Sequence, residues 1–265
     1  METLKLVIIG IVQGITELLP VSSSAHILVL GKLLKLDIGS LLLITFHLGT
    51  TIAIFLFFWR KLIGNFTNKT STFFLKIIVA TIPAAIAGFL LDDLISEKLR
   101  AEWIIALSLI IWGVVMIVLE RREVKNMEDK TKNLTEVSWS QALVIGLSQM
   151  LALIPGTSRS GITTITGILT GLKKYVALEF SFILSIPILT GTFIWMLLKD
   201  HSLKVLTDTV GTPLTINISI IVIVTFLVGF GTLHLLSKFR KSKWLTLFGI
   251  YRIILGLIIL ILFYL

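Results

Sequence analysis

Long apolar stretches separated by short polar segments run through the whole chain, and six of them are long enough to cross a membrane. An α-helix rises about 1.5 Å per residue, so crossing the roughly 30 Å hydrocarbon core takes about 20 apolar residues. The six stretches are Leu41–Trp59, Phe73–Leu91, Trp103–Leu119, Val176–Leu198, Thr215–Leu236 and Trp244–Leu265. This pattern predicts six transmembrane helices.

Two further apolar stretches are interrupted by a proline and a serine-rich turn. The interruptions begin at Pro20 and at Pro155. The apolar halves around them are Leu4–Leu19, a short piece ending near Leu34, Ala142–Ile154 and Gly161–Leu172. Each half is too short to cross the membrane by itself. Both stretches therefore predict re-entrant helical hairpins, which enter and leave the membrane on the same face.

The two hairpins resemble each other, which indicates an internal repeat. Gly10-Ile11-Val12-Gln13 matches Gly146-Leu147-Ser148-Gln149, and both are followed by leucine, proline and a serine-rich turn. Each hairpin precedes three spans, and an odd number of spans inverts the second half relative to the first. The predicted fold is an all-α polytopic membrane protein with six transmembrane helices plus two re-entrant helical hairpins in an inverted-topology repeat. It forms one membrane domain, 1–265, with repeats at about 1–120 and 140–265 and a cytoplasmic linker at about 120–139.

Composition and charge fit a membrane protein and set its orientation. Of the 265 residues, 55% are hydrophobic and 15% charged, with a net charge of +9 and no cysteine for disulfides or thiolate sites. The cations lie in short clusters between apolar runs, so we expect contact with anionic membrane lipids and no nucleic acid. With the N-terminus outside, fifteen cations fall on the cytoplasmic side and seven outside. The positive-inside rule thus predicts that both termini lie outside.

The first hairpin carries an acid at membrane depth. Gln13 and Glu17 are four residues apart, so they share one helical face, and Ser22-Ser23-Ser24 and His26 follow. A buried charge is costly in lipid, so Glu17 is expected to bind a divalent cation or act as a base rather than face water. Each serine could cap the next helix, bind phosphate oxygens or act as a nucleophile. His26 is either part of the chemistry or bonded to the backbone.

The second hairpin carries the elements of a phosphate site. Pro155-Gly156-Thr157-Ser158-Arg159-Ser160-Gly161 is followed by Thr163. The two glycines let backbone amides approach a ligand, and the helix that follows adds a partial positive charge. Arg159 is a permanently charged, forked donor suited to phosphate, and it could also neutralise Glu17 across the tips. No Walker A pattern occurs, so ATP binding has no support.

Two other ionisable residues lie inside predicted spans. His47 either lines the cavity or satisfies a neighbouring helix. Arg252 is expected to bond to helix ends or to lipid phosphate.

The two polar segments resemble a known pair of signatures. Gln13-Gly14-Ile15-Thr16-Glu17, continuing to His26, is similar to the first signature of the bacterial undecaprenyl pyrophosphate phosphatase family, also called the bacitracin-resistance protein family. The segment 155–161 is similar to its second signature. Shorter matches occur at Phe46-His47-Leu48-Gly49, Phe58-Trp59-Arg60, Ile82-Pro83-Ala84, Ala177-Leu178-Glu179-Phe180-Ser181-Phe182 and Tyr251-Arg252. The likeness covers nearly the whole chain, and the two signatures together are highly specific.

The resemblance implies an activity and a set of site residues. It implies hydrolysis of undecaprenyl pyrophosphate to the monophosphate and inorganic phosphate at the outer face of the bacterial cytoplasmic membrane, which recycles the lipid carrier for cell-wall synthesis and confers bacitracin resistance. It also implies a divalent cation, Mg²⁺ or Ca²⁺. Glu17 would be the central acid and cation ligand, His26 and Ser23 would belong to the catalytic group, and Arg159 would grip the pyrophosphate. The residues expected to contact substrate are Gln13, Ser22, Ser24, Gly156, Ser158, Ser160 and Thr163.

The sequence departs from the best-known family pattern at one position and leaves several alternatives open. That pattern has glutamate where Gln13 stands, and because an amide is neither a carboxylate ligand nor a base, these roles are assigned to Glu17. The attacking group is either Ser23, activated by His26 or Glu17, or a water activated by Glu17. A polyprenyl-phosphate flippase would need the same polar site, since inverted repeats with broken helices are also typical of transporters. A membrane scaffold without activity would leave Glu17 and Arg159 without purpose. The sequence does not choose between a monomer and a homodimer.

Overall fold

The computed structural model describes residues 2–63, 68–123, 131, 133–198, 214–238 and 243–264. The α-helices of these ranges are α1 Glu2–Thr16, α2 Ser23–Leu33, α3 Ser40–Ile63, α4 Asn68–Leu90, α5 Asp92–Glu97, α6 Glu102–Glu123, α7 Trp139–Ser148, α8 Arg159–Leu169, α9 Lys174–Leu198, α10 Leu214–Lys238 and α11 Trp244–Tyr264. Short 3₁₀ segments at Leu134–Glu136 and Gln149–Leu153 flank α7.

Six of these helices are long and apolar enough to cross a membrane. They are α3, α4, α6, α9, α10 and α11, whose apolar spans are between 20 and 25 residues long. Large apolar side chains on their outer surfaces are exposed, such as Leu90 and Leu198 at 69% and 72%. A soluble protein rarely exposes so much apolar surface, whereas lipid covers it in a membrane. The prediction of an all-α protein with six membrane-spanning helices is confirmed.

Each interrupted stretch forms a pair of short helices joined by a tight turn. The helices α1, α2, α7 and α8 have 15, 11, 10 and 11 residues, so none of them is long enough to cross a membrane. The second helix of each pair begins after a serine with positive φ, 68° at Ser22 and 72° at Ser158. A non-glycine residue keeps this conformation only where its surroundings enforce it. The two turns thus share a backbone feature as well as a sequence pattern, while their re-entrant course through the membrane stays a prediction.

Helix packing relates the two halves of the chain. The helices α3 and α9, which begin the three spans of each half, pack against each other, and so do α6 and α11, which end them. The first hairpin helix α1 packs on α10, and its counterpart α7 packs on α4. Likewise α3 contacts α10 while α9 contacts α4. Exchanging the two halves therefore maps this packing onto itself, as a structural repeat requires. The inversion of the halves relative to the membrane stays a prediction.

A close crossing of two glycines fixes α11 against α6. A Cβ added to Gly113 would lie 2.7 Å from the carbonyl oxygen of Gly249, and a Cβ added to Gly249 would lie 2.7 Å from the carbonyl oxygen of Gly113. Small residues allow membrane helices to approach this closely. The crossing matters for function because the next turn of α11 carries Tyr251 and Arg252, which reach the hairpin tips.

Candidate active site

The tip of the first hairpin brings an acid and a hydroxyl into direct contact. The helix α1 ends at Thr16, and the turn that follows buries Glu17, whose exposure is 6%. Ser23, the first residue of α2, donates a hydrogen bond from Oγ to Glu17 Oε2 at 2.6 Å. A carboxylate at this distance can accept the hydroxyl proton when the oxygen attacks an electrophile.

The tip of the second hairpin turns sharply to present an arginine. Gly156 has a φ of +94°, and a Cβ there would lie 2.5 Å from the carbonyl oxygen of Ile105. Only glycine fits this conformation and this close approach. Ser158 Oγ then accepts a hydrogen bond from the backbone N–H of Gly161 at 3.1 Å and so caps α8. Arg159 is the first residue of that helix and extends toward the first hairpin.

The two tips meet at Glu17. Arg159 Nη2 lies 2.5 Å from Glu17 Oε1, and its Nη1 donates to the carbonyl oxygen of Ser181 at 3.1 Å. Ser160 Oγ reaches the carbonyl oxygen of Leu19 at 3.3 Å. Arg159 Nε is buried and has no hydrogen-bond partner in the described part of the chain. The arginine therefore neutralises the acid and still has a buried donor for an anionic ligand.

His47 belongs to this site. Its Nδ1 lies 2.8 Å from Glu17 Oε2 and 2.9 Å from Gln13 Nε2. Gln13 Nε2 also donates to Glu17 Oε2 at 3.0 Å. Glu17 Oε2 thus faces three polar groups, from Gln13, Ser23 and His47, and these fix the direction of the carboxylate. Of the two alternatives for His47, the structure places it at the cavity wall and on the acid.

Arg252 joins the two turns. Its side chain is fully buried. Nη1 donates to the carbonyl oxygen of Pro20 at 3.0 Å in the first turn. Nη2 donates to the carbonyl oxygens of Gly156 at 2.7 Å and Thr157 at 2.9 Å in the second. These acceptors precede the two serines with positive φ, so one guanidinium holds both turns. Of the two alternatives for Arg252, the structure therefore supports bonds to the backbone at helix ends.

His26 faces away from the acid. Its Nδ1 lies 2.8 Å from the carbonyl oxygen of Ser22, and its Nε2 lies 2.7 Å from the hydroxyl of Tyr251. Both ring nitrogens are therefore engaged, and neither bonds to Ser23 or Glu17. The structure thus supports the backbone-bonding alternative for His26, with Tyr251 as a second partner.

A cavity of about 230 Å³ opens beside the meeting point of the tips. Seven of the expected site residues line it: Glu17, Ser22, Ser23, Ser24, Ser158, Arg159 and Ser160. The other four lie elsewhere: Gln13 supports Glu17, Gly156 shapes its turn, His26 contacts Tyr251, and Thr163 Oγ1 lies 2.6 Å from Ser181 Oγ. Apolar side chains of α3, α4 and α9 complete the wall, among them Leu43, Ile44, Ala84, Ile188 and Leu189.

The sequence that forms these two buried polar turns matches one protein family over nearly its whole length. The sequence profile of the family described as "Bacitracin resistance protein BacA" matches residues 6–258. The chain belongs to the BacA family.

Curated relatives agree with this membership of the BacA family. "Undecaprenyl-diphosphatase 1" of Clostridioides difficile is 39% identical, with 100% of this chain and 97% of the relative covered. "Undecaprenyl-diphosphatase" of Limosilactobacillus fermentum is 36% identical, with 98% and 97% covered. "Undecaprenyl-diphosphatase" of Enterococcus faecalis is 35% identical, with 98% and 96% covered. The similarity therefore extends over both hairpins and all six spans.

The oxygen donors of this BacA-family site are compatible with a divalent cation that takes further ligands from a substrate. Among the described residues, no group of three or more His, Asp or Glu side chains could hold a metal ion. Glu17 supplies one carboxylate, and the buried Oε1 of Gln13 has no hydrogen-bond partner within the described ranges. Mg²⁺ is typically held by one or two carboxylates together with substrate phosphates and water. The donor set is therefore compatible with a cation that arrives with a phosphorylated ligand.

Two contacts at the BacA-family site could not be read from the chain alone. An ionisable residue inside an apolar span is the signal that marked both His47 and Arg252. Their partners lie 34 positions away for the Gln13–His47 contact and 232 for the Pro20–Arg252 contact. Nothing in a local pattern links positions so far apart, so helix packing decides these contacts.

Proposed function

We propose that this chain is an undecaprenyl-diphosphatase, which hydrolyses undecaprenyl pyrophosphate to undecaprenyl phosphate and inorganic phosphate. The observation that carries the proposal is the contact of Glu17 with both Ser23 Oγ and Arg159 Nη2, at 2.6 and 2.5 Å, beside a cavity between the hairpin tips. Curated relatives with that name, between 34% and 39% identical, match the chain over nearly their full length.

The cavity offers different surroundings to the two ends of such a lipid. The serine hydroxyls and Arg159 suit the pyrophosphate, because charged donors and hydroxyls bind phosphate oxygens. The apolar wall formed by α3, α4 and α9 suits the polyprenyl chain, which stays among apolar helices. A substrate phosphate would take over the arginine from Glu17, and this leaves the carboxylate available as a base.

The reaction transfers the terminal phosphoryl group away from the bridging oxygen. Ser23 Oγ, or a water beside it, attacks the terminal phosphorus, and its proton passes to Glu17 Oε2. The bond from phosphorus to the bridging oxygen breaks and releases undecaprenyl phosphate. On the serine route, water then cleaves the phosphoserine to inorganic phosphate. A phosphorylated Ser23 trapped by rapid quenching distinguishes this route from direct attack by water.

Arg159 stabilises the charge that develops on the transferred group, since its guanidinium is permanently cationic and lies beside Glu17 where the two tips meet. When bound with the substrate, a Mg²⁺ or Ca²⁺ ion would neutralise further phosphate charge. Glu17 is the carboxylate that would hold it, with Gln13 Oε1 as a second oxygen.

Purified protein in detergent is expected to release one phosphate from undecaprenyl pyrophosphate and none from undecaprenyl phosphate. Removal of divalent cations by a chelator should abolish the release, and Mg²⁺ or Ca²⁺ should restore it. A flippase would instead move the phosphorylated lipid across the vesicle membrane without releasing inorganic phosphate. Transport without hydrolysis in reconstituted vesicles would contradict the proposed enzyme.

We further propose that the protein lies in the bacterial cytoplasmic membrane with both termini and the entrance to the site outside. The charge distribution of the six spans supports this orientation. A reporter enzyme that works only in the cytoplasm should be active when it is fused after Lys125, in the predicted cytoplasmic linker. Activity at the same position of a reporter that works only outside the cytoplasm would show the opposite orientation.

A further inference from the structure

Arg100 lies where the candidate active site adjoins a second cavity. The site cavity reaches Ile95 and Arg100. A neighbouring cavity of about 310 Å³ is lined by side chains of α2, α5, α6 and the segment before α3, among them Lys32, Asp37, Ser96 and Glu102. Leu28 and Arg100 line both cavities, so the two spaces adjoin at these side chains.

The guanidinium of Arg100 is half-buried and bonds to neutral oxygens. Nη2 donates to Ser40 Oγ at 2.9 Å and Nη1 to the carbonyl oxygen of Ile38 at 3.3 Å. Burial lowers the pKa of Arg100 below its ordinary value, while the nearby carboxylates of Asp92 and Asp37 raise it. An arginine stays protonated under such conditions. The side chain therefore places a positive charge at the junction of the cavities.

A product of the proposed reaction needs such a group. Inorganic phosphate is charged, and placing a charged ion in apolar surroundings is costly. It therefore does not leave along the apolar wall that suits the polyprenyl chain. The second cavity offers a polar route. Arg159 lines the site cavity, and Arg100 lies at the junction with the second cavity. The second cavity also contains the carboxylate of Asp37, and Lys32 in its wall is paired with Glu102, so Arg100 is the cation that a phosphate ion meets on leaving Arg159.

We propose that Arg100 forms a second phosphate-binding site, which receives inorganic phosphate from Arg159 and passes it into the second cavity. The proposal rests on the proposed diphosphatase function. The same guanidinium could also meet the terminal phosphate of an arriving lipid, and the two sources are separable by kinetics. Product binding is measured by inhibition with added inorganic phosphate, and lipid binding by the KM for undecaprenyl pyrophosphate.

The test compares full-length Arg100→Gln with wild type, following formation of undecaprenyl phosphate because added phosphate masks the released product. A charge-assisted contact at a half-buried site is worth about a five- to tenfold change in binding. The inhibition constant of inorganic phosphate should rise by about that factor while the KM for lipid changes less than about twofold. An equal rise of both constants would show that the site takes the lipid phosphate as well. Neither constant changing would overturn the proposal.

Three controls separate charge from structure. Lys98→Gln removes an exposed cation two residues away that lines neither cavity, and it should leave both constants unchanged. Ser40→Ala removes one of the two neutral acceptors of Arg100 and keeps the charge. Arg100→Lys keeps the charge and loses the fork. Both should retain phosphate inhibition within about twofold of wild type. If both instead behave like Arg100→Gln, the arginine only holds the chain before α3, and the proposal fails.

A charge-specific rescue covers the case that Arg100→Gln folds poorly. The chain contains no cysteine, so Arg100→Cys carries a single thiol. Modification with an aminoethyl methanethiosulfonate adds a positive charge there, whereas propyl methanethiosulfonate adds a neutral group of similar reach. Only the positive group should restore phosphate inhibition; equal restoration by both would contradict the proposal. Wild-type protein that forms no undecaprenyl phosphate at all would instead refute the proposed function.

Discussion

Glu17→Gln should reduce phosphate release by about a thousandfold or more, since it removes the only carboxylate at the meeting point of the tips among the described residues. In the wild-type protein Ser23 Oγ lies 2.6 Å from Glu17 Oε2. The glutamine amide keeps the side-chain volume and an oxygen that can accept this hydrogen bond, but it cannot take up the proton of the attacking group. The substitution also leaves Arg159 buried without its counter-ion, so the unfolding temperature should fall as well. Initial rates and thermal unfolding are therefore measured on the same preparation.

Glu179→Gln is the matched control for Glu17→Gln. Glu179 is an acid of α9 that pairs with Lys61 and does not line the site cavity. The Glu179→Gln protein should keep the phosphate release within about threefold of wild type, because ion pairs near the surface contribute little.

Substitutions at Glu17 and Arg159 should be strongly non-additive, since each one removes the same ion pair. Rates near wild type for Glu17→Gln would remove Glu17 from the chemistry.

Arg252→Lys should lower kcat by about a hundredfold with a much smaller change in KM. The reason is geometric: a lysine ammonium cannot reach Pro20 O, Gly156 O and Thr157 O together, all of which lie within 3.0 Å of the guanidinium. Displacing one turn by about 1 Å separates Ser23 and Glu17 from Arg159, and such displacements cost about a hundredfold in rate. The residue does not line the cavity, so it acts by positioning the groups that do.

The split between kcat and KM distinguishes positioning from general destabilisation. Unfolding would lower the active fraction and leave KM and the rate per folded molecule unchanged, so kcat is referred to the folded fraction measured at the assay temperature. Arg60→Lys, at the end of α3 and outside the site cavity, is the matched control and should be neutral. An Arg252→Lys protein with wild-type kcat per folded molecule would show that the two turns hold their positions without the fork.

The membrane architecture was predictable because run length is a one-dimensional property. An apolar run either reaches the length needed to cross a bilayer or does not, and each run can be measured without knowing its neighbours. Six runs met that length, and the stretches broken at Pro20 and Pro155 did not. The residues at the tips were predictable for a related reason. Charged and turn-forming residues inside apolar stretches are costly, so Glu17 and Arg159 indicated a site.

The tertiary structure decided most of the contacts through which these residues act together. The pairing of Glu17 with Arg159 joins positions 142 apart, and the contact of His26 with Tyr251 joins positions 225 apart. The first could be anticipated from opposite charges, while the second turns His26 away from the acid. Helix packing places His47 on Glu17, Arg252 on both turns and Arg100 between the two cavities. The sequence determines the elements and their chemistry, but contacts between distant helices arise only when packing brings their faces together.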